Sequence, residues 1–205
     1  MDFAFSQRTT ELRQRVREFV EERCIPAEEK LATQTRAGAW DSPPVLEELK
    51  AEARSRGLWN LFLPGERGAG LTNLEYAPLA EESGRSPWLA PEAMNCSAPD
   101  TGNMEILAHF AGDAVRRQWL EPLLDGRIRS AYSMTEPDVA SSDANNIATR
   151  IEVDGDGFRV TGRKWWSSGG MSPRCKVAIV MGLSDPDGER HRRHTMIVVP
   201  LDSAR

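Results

Sequence analysis

The sequence predicts an α+β chain. An N-terminal all-α helical domain over residues 1–128 precedes an antiparallel β-barrel-like domain over 129–205, expected to be incomplete. Apolar residues recur at helical spacing as far as Gly126 and alternate at period two beyond it. Helices and strands stand in two blocks, whereas a parallel sheet would interleave them as βαβ units. The 205 residues can hold one large domain or two small ones.

In the first block, Leu12, Val16, Phe19, Val20 and Cys24 form one helical face, and Pro26 should end or kink that helix. Ser42-Pro43-Pro44 reads as a helix start. Val45, Leu46, Leu49 and Ala53 form the stripe that follows, and Gly57 is its C-terminal cap. Thr72-Asn73-Leu74-Glu75 fits a capping box, with Leu71 and Tyr76 placed as a hydrophobic staple. That helix should run to Gly84, bent at Pro78. Further helical segments are expected over 104–110 and 113–124, with Gly126 as a stop. Pro- and Gly-rich loops cover 63–70 and 97–102.

Past Gly126, Ile147, Thr149, Ile151 and Val153 alternate, Asp154-Gly155-Asp156-Gly157 forms a turn, and Phe158 and Val160 resume the alternation. Residues 177–183 and 195–201 read as further strands. Only four residues follow the last of them, hence the expectation of an incomplete β domain.

Composition excludes some functions. A formal net charge of -5 argues against a nucleic-acid binder, whose affinity rests on neutralising phosphates. No apolar run approaches the ~20 residues of a membrane span, and the first residues lack a leader's basic and apolar stretches, so a cytoplasmic protein is expected. Cys24, Cys96 and Cys175 form no CxxC pair and suit a reducing compartment as small core residues; no metal site is assigned. His191 and His194 lie in a charged run, 189–194, read as a solvated loop.

Two phosphate-loop look-alikes fail. Residues 157–164 have a Walker-like spacing, but the Lys is displaced by one and no Ser or Thr follows it. Gly65, Gly68 and Gly70 have no strand before them, so a dinucleotide fingerprint does not fit. Residues 131–143, Ala-Tyr-Ser-Met-Thr-Glu-Pro-Asp-Val-Ala-Ser-Ser-Asp, are different. They leave a short strand, turn at Pro137, and enter a loop whose N–H groups and hydroxyls could meet an anion or merely cap a turn. In 162–170, Gly-Arg-Lys-Trp-Trp-Ser-Ser-Gly-Gly, adjacent Trp residues on a strand would face opposite sides. Either one indole packs in the core while the other covers something flat and aromatic, or both are half-buried strand aromatics.

Together these segments resemble the acyl-CoA dehydrogenase family. Its flavin loop, Tyr-x-x-Thr-Glu-Pro followed by a small-residue stretch ending in Ser-Asp, is matched by Tyr132, Thr135, Glu136, Pro137, Ser142 and Asp143. Its later Gly-x-Lys-x-Trp-x-Thr/Ser-x-Gly is matched by Gly162, Lys164, Trp166, Ser168 and Gly170. Gly57-Leu58, Leu63-Pro64, Gly68, Gly70 and residues 81–84 resemble the family's helical domain, so the likeness covers nearly the whole chain. The wording is most similar to the subgroup of animal family members ten and eleven. Two departures stand out: Asp138-Val139-Ala140-Ser141 replaces the usual Gly-Ala-Gly stretch with one residue more, and Ser168 stands where many members have Thr.

The resemblance implies FAD as cofactor. Tyr132, Met134 and Thr135 would line the isoalloxazine ring, Trp166 would pack beside it, and the Ser168 hydroxyl would approach N5. Ser141 and Ser167 go with them as cofactor contacts, and Ser142 would touch the flavin pyrophosphate or an acyl-CoA. The implied reaction is α,β-dehydrogenation of an acyl-CoA to the 2-enoyl-CoA, with electrons passed to an electron-transfer flavoprotein. The family's catalytic base is a Glu on a C-terminal helical bundle, so no catalytic residue is assigned here. The chain is expected to assemble, as a homo- or hetero-oligomer, with a chain supplying that bundle. Two alternatives stay open: a non-catalytic FAD- or acyl-CoA-binding module or partner subunit, and a structural relic.

Overall fold

In the helical block the ladder widens into a π turn just before two of its prolines, Pro26 and Pro122. The computed structural model describes residues 4–36 and 42–203; residues 1–3, part of the stretch read for a leader, lie outside them. α1 (Gln7–Phe19) starts at Ser6, whose Oγ accepts the Thr9 N–H at 3.1 Å. A π turn, Val20–Cys24, then leads into α2 (Ile25–Arg36), with the Ile25 N–H on the Val20 carbonyl. Pro26 has no N–H for an i→i−4 bond, and the widened turn carries the helix past it. The same sequence of events recurs later: α7 (Asp113–Val115), a π turn Arg116–Leu120, then α8 (Glu121–Leu124) containing Pro122.

Val16, Phe19, Val20 and Cys24 are fully buried, as their spacing predicts. α3 (Pro44–Ser55) opens on Pro44 and buries Val45, Leu46, Leu49 and Ala53. Gly57, at φ +65°, reverses the chain after it. α4 (Asn73–Ser83) carries both halves of the capping box and continues through Pro78. Leu71 and Tyr76 join the same apolar cluster as the α1 and α3 stripes. α5 (Ala90–Ala93) and α6 (Asp100–Phe110) complete this unit, Met1–Gly126. A contact invisible to periodicity ties α1 to α4: Glu82, buried, accepts from Arg13 at 2.9 Å and Arg17 at 2.6 Å. The Arg17 hydrogen bond outweighs burial and holds the Glu82 carboxyl down at about 2.

The second unit, Arg127–Arg205, contains a five-stranded sheet. β1 (Arg129–Ser133), β2 (Arg150–Asp154), β3 (Gly157–Thr161), β4 (Cys175–Leu183) and β5 (His194–Pro200) form it. β4 is its axis: it pairs parallel with β1 from Ser130↔Val177 to Ser133↔Val180, meets β2 at Arg150↔Leu183, and pairs antiparallel with β5. β2 and β3 form the expected hairpin around Gly155, at φ +59°. The α+β architecture follows the sequence reading, and the sheet is open among the described residues. Its pairing is mixed, because β1 and β4 are joined by a crossover, 134–174, which brings them side by side in the same direction.

Walker-like Gly157 opens β3 within that hairpin. Cys24 and Cys175 are buried, and burial pushes the Cys24 thiol up to about 12. No helix among the described residues is long and apolar enough to cross a membrane.

Candidate functional site

β1 delivers Tyr132 and Ser133, and the chain then leaves the ladder as the motif predicts. The segment 164–168 returns alongside it. Four contacts join the two: Ser133 Oγ to Ser167 Oγ at 2.8 Å, the Lys164 ammonium to the Met134 carbonyl at 2.8 Å, the Trp165 N–H to the Thr135 carbonyl at 3.1 Å, and Lys164 to Glu136 at 2.9 Å. The two motifs, separated in sequence, thus lie side by side.

Gly162 makes this approach possible. A Cβ there would stand 2.2 Å from the Thr149 Oγ1 and 2.8 Å from its Cα, so only glycine lets the strand exit pass that close.

Lys164 and Glu136 went unassigned in the sequence reading. Glu136 is buried, and its carboxylate accepts the Ala148 N–H at 2.8 Å, the Thr149 N–H at 2.9 Å and the Lys164 ammonium. Burial alone would push its pKa up. The Thr149 hydroxyl beside it, Lys164 and the two N–H groups outweigh that and hold it at about 2. The legible signal was one charge in each motif, of opposite sign, in two motifs that the resemblance assigns to one flavin.

The expected cofactor contacts fall into two sets. Tyr132 is half-buried, its hydroxyl 3.5 Å from the Met196 sulfur, and burial raises its pKa. Met134 is half-buried, whereas Thr135, Ser142, Trp166 and Ser168 are exposed. Ser141 is buried and accepts the Glu136 N–H at 3.0 Å, and Ser167 is held by Ser133, so both hydroxyls serve the protein's own framework. Much of the loop's backbone also turns inward. The N–H groups of Ser141, Asp143, Asn146 and Ile147 donate to loop carbonyls, so the array of donors expected to face an anion is largely engaged. Ser142 points its small polar side chain to the outside instead.

The Trp pair corrects the sequence reading. β3 ends at Thr161, so neither Trp lies on a strand and opposite strand faces do not apply. Trp166 adopts φ +55° and is 79% exposed; Trp165 is 46% exposed, with the ring centroids 5.7 Å apart. Neither indole sits in the core. A bulky residue at positive φ is held there by its surroundings at a cost of ~1–3 kcal/mol, and such strain clusters at ligand sites.

The charged run 189–194 is solvated only in part. His194 begins β5, Arg193 donates to the Asn145 carbonyl at 2.7 Å, and Arg190 pairs with Asp143 at 3.3 Å. A depression of about 690 Å³ over the apolar face of β4 and β5 is also lined by Ser133, Thr149, Val160 and Lys164; Thr135, Ser142, Trp166 and Ser168 are not among its lining residues.

The class that fold and site define is an α+β protein with exposed Thr135, Ser168 and Trp166, the last at positive φ, carried on two segments that the Ser133–Ser167 and Lys164–Met134 hydrogen bonds join. Comparison with known proteins makes the class specific. The N-terminal domain of the acyl-CoA dehydrogenases matches residues 6–127, and their middle domain matches 131–205. FadE2 of Mycobacterium tuberculosis, named as a probable acyl-CoA dehydrogenase, is 55% identical over 99% of this chain and 50% of its own. Mouse acyl-CoA dehydrogenase family member 11 is 48% identical over 98% of this chain and 26% of its own. A solved acyl-CoA dehydrogenase structure from Mycobacterium abscessus superposes with a TM-score of 0.92 at 53% identity, over 98% of this chain and 52% of that one. The chain belongs to the acyl-CoA dehydrogenase family, and its likeness to the subgroup of animal family members ten and eleven stands. It spans about half the length of FadE2 and about a quarter of that of family member 11.

Proposed function

We propose that this chain is the N-terminal half of a flavin-dependent acyl-CoA dehydrogenase, as a fragment or a split subunit: a helical domain, 1–128, and a flavin-binding domain, 129–205, that act together with a C-terminal bundle. The observation that carries this reading is the joining of segments 133–136 and 164–167 by four hydrogen bonds, with Thr135, Trp166 and Ser168 exposed on or next to them. Those residues fit FAD, because a large planar ring needs an apolar wall and neutral donors rather than cations. When bound, FAD supplies acceptance of the hydride removed from the acyl chain.

This chain's own residues bind and orient. Tyr132, Met134 and Thr135 would line the ring, with the Thr135 hydroxyl as donor. Trp166 would pack beside it and limit water access, and Ser168 would offer it a hydroxyl. Ser142, outward on its loop, meets the pyrophosphate or the acyl-CoA, while Ser141 and Ser167 hold the segments that carry the others. An electron-transfer flavoprotein is the proposed electron acceptor.

Glu136 is not the base. A carboxylate held at about 2 and surrounded by donors has little tendency to take a proton near neutrality. The alternative reading is a non-catalytic FAD- or acyl-CoA-binding module.

Co-expression with the C-terminal half of FadE2, followed by anaerobic addition of acyl-CoAs of several chain lengths, separates the two. Bleaching of the bound flavin supports the dehydrogenase. A complex that keeps its flavin oxidised with every acyl-CoA supports the module.

A further inference from the structure

Residues 137–147 form a compact loop whose two ends meet on one side chain. The Glu136 carboxylate, at the entrance, accepts the N–H groups of Ala148 and Thr149, at the exit. The Glu136 N–H reaches forward to Ser141 Oγ, so backbone and side chain of one residue brace both the start and the end. Lys164, arriving from the other motif, bonds the same carboxylate and the Met134 carbonyl just before it. Three separate stretches of chain therefore converge on a single ion pair whose side chains are 11% and 5% exposed.

The loop's far side meets two arginines: Arg193 donates to the Asn145 carbonyl at 2.7 Å, and Arg190 pairs with Asp143. Arg190 and Asp143 are 65% and 47% exposed, and a solvated pair of this kind contributes ~0–1 kcal/mol. Breaking a buried pair by removing one partner strands the other charge and is far more damaging. Loss of Glu136 or Lys164 should therefore loosen the loop more than loss of the Arg190–Asp143 pair.

We infer that Glu136 and Lys164 are positioning residues: their ion pair clasps loop 137–147 and couples its shape to the Trp165–Trp166 segment, so that Ser142, Thr135 and Trp166 are presented to one ligand. The ligand half of this inference rests on the proposed flavin site; the clasp itself does not.

The test uses the whole chain in four forms: wild type, Glu136→Gln, Lys164→Met and the double variant, with Arg159→Gln as a control at an exposed pair with Asp154. Amide hydrogen exchange is followed at Ser141, Asp143, Asn146, Ile147, Ala148 and Thr149, with residues 177–183 of β4 as internal reference. FAD affinity is measured by flavin fluorescence. The clasp predicts exchange at the loop amides faster by about tenfold or more, and FAD binding weaker by a similar factor, in each single variant. β4 and the Arg159→Gln control should remain unchanged, and the double variant should be no worse than the worse single. Unchanged loop exchange overturns the inference. So does equal loss of protection in β4, or strict additivity of the two substitutions. If the wild type takes up no FAD, the functional reading falls and the exchange data alone decide the clasp.

Discussion

Thr149 is closely packed. Glycines approach it from two sides: a Cβ at Gly162 would lie 2.2 Å from its Oγ1, and one at Gly182 would lie 2.9 Å from its carbonyl and 2.7 Å from the Ile151 Cγ1. Gly162→Ala should therefore cost about 1–3 kcal/mol, read as a lower urea midpoint. Gly112→Ala, where a Cβ meets nothing within 4 Å, should leave the midpoint nearly unchanged. Glu136 makes a second prediction at this scale. Its pKa falls from 4.5 unfolded to about 2 folded, so its stabilisation is complete above about 4.5 and disappears as pH falls through about 2. Melting temperature measured across that window should drop steeply for wild type. In Glu136→Gln it should start lower and vary less, with the remaining slope carried by groups such as Glu82. Neither Gly162 as a close-approach site nor Glu136 as a hub was legible from local pattern. Each depends on a segment far away in sequence, and a loop glycine or loop carboxylate looks ordinary until its neighbour is known.

At the scale of elements, local chemistry was readable wherever a residue acts within one turn of itself. The capping box is the clearest case: the Glu75 N–H meets Thr72 Oγ1 at 3.3 Å and the Thr72 N–H meets Glu75 Oε2 at 2.9 Å. Thr72→Ala should lower stability by about 1 kcal/mol, measurable by urea unfolding. The stripes of α1 and α3 and the β2–β3 turn were equally plain, since burial on one face and a turn glycine leave a periodic trace. Pro26 was expected to end or kink its helix; the π turn before it lets the helix continue, a solution that hydrophobic spacing does not reveal. The Trp pair was misplaced for a related reason. Aromatic residues following an alternating run read as more strand, but Gly162 against Thr149 marks the exit from β3, and Trp166 then turns to positive φ.

At the scale of the whole molecule, two blocks of different periodicity became two units, and two motifs read separately became one region. The resemblance supplied what geometry alone leaves general, namely the ligand class to which hydroxyls and an indole belong. One consequence is colloidal. Val153 and Phe158, paired across the β2–β3 hairpin, are 79% and 62% exposed, and Phe158 borders the apolar depression over β4 and β5. Contiguous apolar surface of this kind favours association, so sedimentation of the purified chain should show concentration-dependent oligomers. A monomer at every concentration would contradict that expectation.

If the segments joined by Lys164 and Glu136 build a flavin site, titration of the purified chain with FAD should give saturable quenching of flavin fluorescence and a perturbed visible band. Binding should weaken when Thr135, Trp166 or Ser168 is replaced by Ala. Unquenched, unperturbed flavin in the presence of a folded chain would contradict such a site.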